Sequence, residues 1–292
     1  MFRSPLLLAV GALALSGCFT FVVADGSSPT IQATAPADVL FDESFSVRSG
    51  GALAVELGSE AVVVKTVSAD RARVVVEGRG RGAAEEFQRR RFTARTVKRG
   101  LEVETDPPRG TRSSSGAQFT VTVEIPRRFD VALDLGSGSV SVGSLHGDLS
   151  VDTGSGSVSV GGVRGDVAID TGSGSVRVES VSGGLTVETG SGSVRVGEVS
   201  GSTAIDTGSG SVTLAAGGGG PVEVGTGSGS ATVLVPQRSG WDVDLDGSSI
   251  EIDPSLGFDG RQERGRARGR IGSGGPSLSV DTGSGRIAIR SR

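Results

Sequence analysis

Acidic residues recur at one fixed place in this sequence, and carboxylates held in register are a chemistry of their own. Asp134, Asp152, Asp170, Glu188 and Asp206 each stand two residues before the first glycine of a Gly-Ser-Gly-Ser tetrapeptide. Asp281 stands two residues before a related Gly-Ser-Gly, and the pattern lapses at Gly225. Stacked about 5 Å apart, neighbouring carboxylates repel by about 1 kcal/mol per pair even in water. A row of five invites a counter-charge: a Ca2+ ion, a basic peptide or a basic partner surface. Calcium wants several oxygens at about 2.3–2.6 Å, and adjoining Thr and Ser hydroxyls would supply some of them. No other cofactor is expected. The plainer reading is a solvated rim in which each Asp caps its own glycine turn through an Asx-type hydrogen bond. A second column, Ser137, Ser155, Ser173, Ser191 and Ser209, offers a flat row of hydroxyls. It suits small polar corners or carbohydrate.

Catalysis finds little to work with. The chain holds one His, one Cys and one Trp among 292 residues. His146 is the lone imidazole, at a turn position that Arg164, Ser182 and Ser200 occupy in later repeats. A Ser-His-Asp triad therefore has no anchor. One Cys excludes intramolecular disulfides and Cys-based zinc cages, and one His excludes two-histidine metal sites. Gly217 to Gly220 lacks the Lys of a phosphate-binding loop and reads as a one-residue slip in the repeat. Trp241 is expected to pack near an end of the fold. Glycoside cleavage needs two carboxyls in unlike environments within a cleft, and a uniform ladder singles out no pair. The expectation is a protein that is not an enzyme. A net charge of −4, with no aromatics interleaved among the Arg-rich stretches, also excludes a nucleic-acid binder.

The single thiol has a different use. Met1 to Gly17 reads MFRSPLLLAVGALALSG, with Arg3 its only charge and an apolar run of ten residues from Leu6 to Leu15. That run is too short to span a bilayer, which takes about 20 residues, and it fits the core of a secretory signal peptide. Leu15-Ser16-Gly17-Cys18 then resembles the bacterial lipobox, in which cleavage precedes the Cys and its thiol is acylated. Each buried CH2 of an acyl chain contributes about 0.8 kcal/mol, so the expected membrane attachment is an N-terminal lipid. Phe19 and Thr20 stand where an acidic residue would favour inner-membrane retention, which points to the outer membrane of a two-membrane cell. Residues 1–17 are read as a lipoprotein signal peptide, and 18–38 as lipidated Cys18 with a tether.

The elements that must position the columns follow from the same period. Gly-Ser-Gly-Ser begins at Gly136, Gly154, Gly172, Gly190, Gly208 and Gly227, so the gaps are 18, 18, 18, 18 and 19 residues. Apolar columns keep the phase: Val140, Val158, Val176, Val194 and Val212 in one, Val151, Ile169, Val187 and Ile205 in another. Within a unit apolar and polar residues alternate, the mark of strands with one buried face. Gly/Ser clusters separate them as turns. Each unit thus holds two short strands and two turns, and its few apolar side chains cannot offset the cost of ordering it alone. Neighbouring units must supply the rest. The expected fold is all-β: a single-domain parallel β-solenoid over residues 39–292 with 18-residue coils, regular over 134–235 and irregular in its flanks. A second glycine column, Gly147, Gly165, Gly183 and Gly201, marks the other corner, where positive φ or tight backbone approach requires it. In the flanks, Glu85 to Arg91 reads as a short helix or charged loop, and Gly260 to Gly275 as an excursion or polar strand pair.

The lipobox, the Val-rich strands and the runs of Asp-Thr-Gly-Ser-Gly-Ser-Val, closing on Gly283-Ser-Gly-Arg-Ile-Ala-Ile289, together resemble the bacterial putative adhesin domain family. The resemblance is strongest over Asp134 to Val235 and Asp281 to Ile289. It implies a right-handed β-solenoid of unknown function at the cell envelope, and it brings no catalytic residues. Two functions fit. The first is a non-enzymatic, lipid-anchored envelope module for adhesion or binding to an envelope protein or surface glycan. The alternative is an envelope-stress or structural scaffold acting through a protein partner or by end-to-end self-association. A carbohydrate-active β-helix enzyme stands third.

Overall fold

The computed structural model describes residues 37–106 and 116–292. The signal segment, the lipobox residues Leu15, Ser16 and Gly17, and Cys18 lie outside the described residues. All that is described falls in one compact unit, Pro36–Arg292.

The 18-residue period becomes one coil of a β-solenoid. Each coil gives one short strand to each of two sheets, which among the described residues have 13 strands apiece. In the first sheet Val140–Val142, Val158–Arg164, Val176–Val181 and Val194–Val199 are successive parallel neighbours. In the second sheet so are Leu149–Thr153, Val167–Thr171, Leu185–Thr189 and Thr203–Thr207. The pairing keeps the sequence phase, setting Val151 opposite Ile169, Ile169 opposite Val187 and Val187 opposite Ile205. Every second side chain points inward, so the Val, Leu and Ile columns of both sheets meet in a buried core. Like residues stack on like, and each coil covers the apolar edge of the next.

The corner glycines are set by how closely the coils approach. A Cβ built on Gly192 would lie 1.9 Å from the carbonyl oxygen of Gly174, and one on Gly210 would lie 1.7 Å from that of Gly192. In the second column a Cβ on Gly183 would lie 2.4 Å from the oxygen of Gly165. Neither Gly192, Gly210 nor Gly183 takes a positive φ. Gly147 alone in the two columns takes a positive φ, +155°, and a Cβ there would also lie 2.2 Å from the oxygen of Phe129, so tight backbone approach is the reason both columns share. At the 19-residue gap a bulge after Val196 first shortens the pairing offset from 18 to 17, and the corner after Ala216, with Gly218 at φ +87°, takes up the two residues that bring it to 19. Pairing is back in register by Val222, opposite Thr203.

The flanks close the solenoid differently at each end. Gly51–Leu57 and Ala61–Val67 form a first coil, parallel to Phe129–Leu135 and Val140–Val142. The chain between them and the repeats folds outward as a cap. Arg71–Arg79 runs antiparallel to Gln118–Pro126, Asp38–Ser46 runs antiparallel to Arg71–Arg79, and Arg91–Val97 runs antiparallel to Gly100–Asp106. Of residues 85–91, Glu85 to Arg89 end a helix, Ala83–Arg89, Arg90 caps it and Arg91 opens the next strand. Phenylalanines concentrate in this cap: Phe41 meets Phe92 edge-on at 5.0 Å, and Phe87 lies between Phe92 and Phe119. No Phe, Tyr or Trp occurs in residues 134–235, where the interior admits aliphatic side chains in register.

At the other end the order in space departs from the order in sequence. Ser277–Thr282 and Arg286–Ser291, which carry the last Asp-Thr-Gly-Ser-Gly motif, stack directly on Val222–Thr226 and Ala231–Val235. Trp241–Asp246 and Ser249–Ile252, earlier in the chain, lie on the outer side of that coil. Phe258–Glu263 and Arg266–Ile271 form an antiparallel pair against Trp241–Asp246, so the Arg/Gly-rich stretch is a polar strand pair. Trp241 is fully buried here, and its Nε1 donates to Ser239 Oγ at 2.8 Å. The outermost strands carry Arg91, Arg95, Arg261 and Glu263, charges that oppose further pairing.

Corner packing is directly testable. Gly192→Ala is expected to lower the unfolding free energy in urea by at least about 2–3 kcal/mol, because backbone rather than a side chain must move. Ser191→Ala, at the exposed neighbouring position, is expected to stay within about 0.5 kcal/mol of the parent.

Candidate functional site

The five carboxylates read from the sequence are brought into one row. Asp134, Asp152, Asp170, Glu188 and Asp206 are paired strand to strand across the second sheet, each exposed on its outer face. The row is longer than the repeats. Glu104 pairs with Glu56 and Glu56 with Asp134 at one end, while Asp281 and then Asp246 follow Gly225 at the other. Ten strands thus share this position, and Gly225 is the one member without a carboxylate among the described residues. Glu56 was recoverable from Leu57-Gly-Ser59, a worn copy of the repeat corner, whereas Asp246 directly precedes Gly247 and breaks the two-residue spacing. Glu104 carries no such mark, because its pairing depends on the cap.

Within the row only Glu104 has a counter-charge among the described residues, Arg95 at 3.2 Å, which also pairs with Glu102 at 2.7 Å. Near the other end Arg268 pairs with Asp244, two residues before Asp246. The five central carboxylates have no ion-pair partner among the described residues, and repulsion along the centre is relieved only by solvent. Near the capped end the row borders a shallow groove of about 310 Å³. Glu56, Glu102, Glu104, Asp134 and Asp152 rim it, over a floor that includes Ala54 and Ala132. Among the described residues no three His, Cys, Asp or Glu side chains form a group that could hold a metal ion. The carboxylates run along a line, a shape suited to an extended basic partner.

The Asx-type caps expected of these carboxylates are absent among the described residues, and buried threonines hold the corner. Thr207 Oγ1 donates to the Gly192 carbonyl of the preceding coil at 3.3 Å and accepts from Gly210 N at 3.1 Å. Thr226 repeats both bonds, to Gly210 O at 3.1 Å and from Gly229 N at 2.9 Å. A different acidic column fastens the opposite corner. Asp130, Asp148 and Asp166 each accept a backbone N–H from the next coil, at 3.1, 2.9 and 2.7 Å. The acids of the long row are therefore free for the outside, whereas these three are spent inside the fold.

The other sequence candidates are scattered. Ser137, Ser155, Ser173, Ser191 and Ser209 form an exposed hydroxyl column at the corner beside the acidic row. His146 lies at the opposite corner, half-buried, paired with Arg164 in the next coil and bridged to Arg128 in the preceding one. No Ser-His-Asp contact forms among the described residues.

A family model described as Toastrack DUF4097 matches residues 51–290. Among solved structures, a putative adhesin from Bacteroides fragilis is 12% identical with a TM-score of 0.47, over 89% of this chain and 100% of that one. A putative lipid binding protein from Parabacteroides distasonis is 12% identical with a TM-score of 0.45, over 86% and 96%. A putative cell adhesion protein from Clostridium sporogenes is 12% identical with a TM-score of 0.27, over 86% and 99%. No curated protein matches the chain.

Two outcomes follow from this geometry. Replacing Asp152, Asp170 and Glu188 by Asn, Asn and Gln is expected to stabilise the protein by about 1–2 kcal/mol at low salt. That gain should vanish near 1 M NaCl, where screening reaches about 3 Å. Thr207→Val is expected to cost about 1–3 kcal/mol, because it leaves the buried Gly210 N–H unpaired. Urea denaturation across a salt series reads both.

Proposed function

This chain belongs to the Toastrack DUF4097 family, and from that premise we propose that it is a non-enzymatic envelope lipoprotein, an adhesin-like module that binds a basic partner along its acidic row. The observation that carries the reading is the row itself. Five successive exposed carboxylates lack counter-charges among the described residues, and of the whole row only Glu104, in the cap, is paired with an arginine. A surface that bears such repulsion gains when a cationic segment lies across it. Successive strands stand about 4.8 Å apart and an extended peptide advances about 3.3 Å per residue, so about three residues of such a partner span two strands of the row. Acylation of Cys18, with Leu15, Ser16 and Gly17 presenting the cleavage site, would hold the module at the membrane. The absence of an acidic residue after Cys18 favours the outer membrane.

Calorimetry with a polylysine peptide is the test. Binding is expected at low salt, weakening steeply as NaCl rises. The Asp152→Asn, Asp170→Asn, Glu188→Gln variant should bind at least about tenfold more weakly. Equal affinity for parent and variant would overturn the acidic row as the binding surface. Cys18→Ser is expected to release the protein from the membrane fraction; retention of that variant would overturn the anchor.

A further inference from the structure

A second pocket lies at the seam between the N-terminal cap and the first regular coil. Four separate segments converge on a cavity of about 380 Å³, contributing Ser49, Ser68, Asp70, Arg127, Arg128 and His146. The backbone of the seam is well tied. Gly50 N donates to Arg128 O at 2.6 Å, and His146 N donates to Arg127 O at 2.8 Å. Arg128, His146 and Arg164 therefore succeed one another at one corner in three consecutive coils. Later coils place Ser182 and Ser200 there, so the cationic run is confined to the seam. Arg127, Arg128 and Arg164 make no ion pair among the described residues. The neighbouring carboxylates Asp130 and Asp148 already accept backbone N–H groups, which leaves Asp70 as the one acid lining the cavity.

From this we infer that the seam pocket binds a phosphoryl oxyanion, with Arg127 and Arg128 as its ligands and His146 as a third donor when protonated. Guanidinium groups suit phosphate oxygens because each presents several N–H donors in a planar fork. Ser49 and Ser68 also line the pocket, and their hydroxyls add neutral donors. The state of His146 fits such a site: partial burial, followed by the charges of Arg164, Arg127 and Arg128, holds its imidazole below the usual histidine range. A bound oxyanion reverses that field and favours the protonated ring. For a given charge state of the anion, binding should therefore tighten as pH falls through the histidine range.

The single histidine of the chain makes the test clean, because its ring protons give one set of imidazole signals in the NMR spectrum. Inorganic phosphate and pyrophosphate are titrated into the full chain carrying Cys18→Ser, which keeps acyl groups from obscuring membrane binding. The expected result is a saturable shift of the His146 signal, with a Kd of about 1 mM or tighter and an upward move of its titration midpoint. Arg127→Gln with Arg128→Gln should weaken this at least about tenfold. Both side chains are exposed, and an unchanged melting temperature will show that the variant folds. A parallel arm measures co-sedimentation with phosphatidylglycerol vesicles against phosphatidylcholine vesicles. Retention on the former that the double variant loses supports a lipid headgroup as the source of the phosphoryl group. Phosphate binding without retention supports a soluble or glycan-borne one. An unmoved His146 signal with both phosphates, or the same response in the double variant, overturns the proposal.

Discussion

Parallel backbone pairing between successive coils is the constraint from which the rest of the molecule follows. It fixes the separation of coils at the spacing of strands in a sheet, about 4.8 Å, at corners as well as along strands. Gly172 N donates to Thr153 O at 3.1 Å and Gly190 N to Thr171 O at 3.2 Å, so the chain stays bonded to its neighbour while it turns. At that distance a Cβ cannot fit against the preceding carbonyl, and glycine is imposed at every such corner. The composition of the protein is the sum of this local demand repeated coil after coil.

In-register stacking has opposite consequences on the two faces of a strand. Inside, a column of like aliphatic side chains packs without mismatch, and each coil removes its neighbour's apolar edge from water. Outside, the same rule sets like charge beside like charge. Where the fold needs carboxylates for itself, as at Asp130, Asp148 and Asp166, it spends them on backbone N–H groups of the adjoining coil. Where it does not, the charges accumulate on the outer face of the second sheet. Their persistence in so many strands is a feature that folding alone does not ask for.

What could be read from the sequence is whatever repeats. The period, the apolar columns, the strand pairs and the five central carboxylates were legible because each is restated in several coils with the same neighbours. Glu56 was faint, since its corner keeps only a Gly-Ser remnant, and Asp246 and Glu104 were invisible, because one stands out of phase with its glycine and a cap strand without the motif brings the other into line. The choice between positive φ and close approach at the corner glycines needed the neighbouring carbonyls. The threonine clamps were hidden for a similar reason: Thr207 meets Gly192 a coil away, and nothing in the local sequence names that partner. The seam pocket is the extreme case, since its lining comes from segments about 100 residues apart that share no pattern.

The C-terminal coil has a kinetic consequence. Residues 277–291 are wedged between 222–235 and 241–252, yet they leave the ribosome, or a secretion pore, after both. A chain emerging amino end first would pass through a stage in which Val222–Thr226 and Ala231–Val235 present open edges and the strands that should cover them have not arrived. If the cap coil docked there first, it would have to let go. The architecture thus favours a late, concerted insertion over steady coil-by-coil growth, and it makes the open edge at Val222 the moment of greatest exposure to wrong partners.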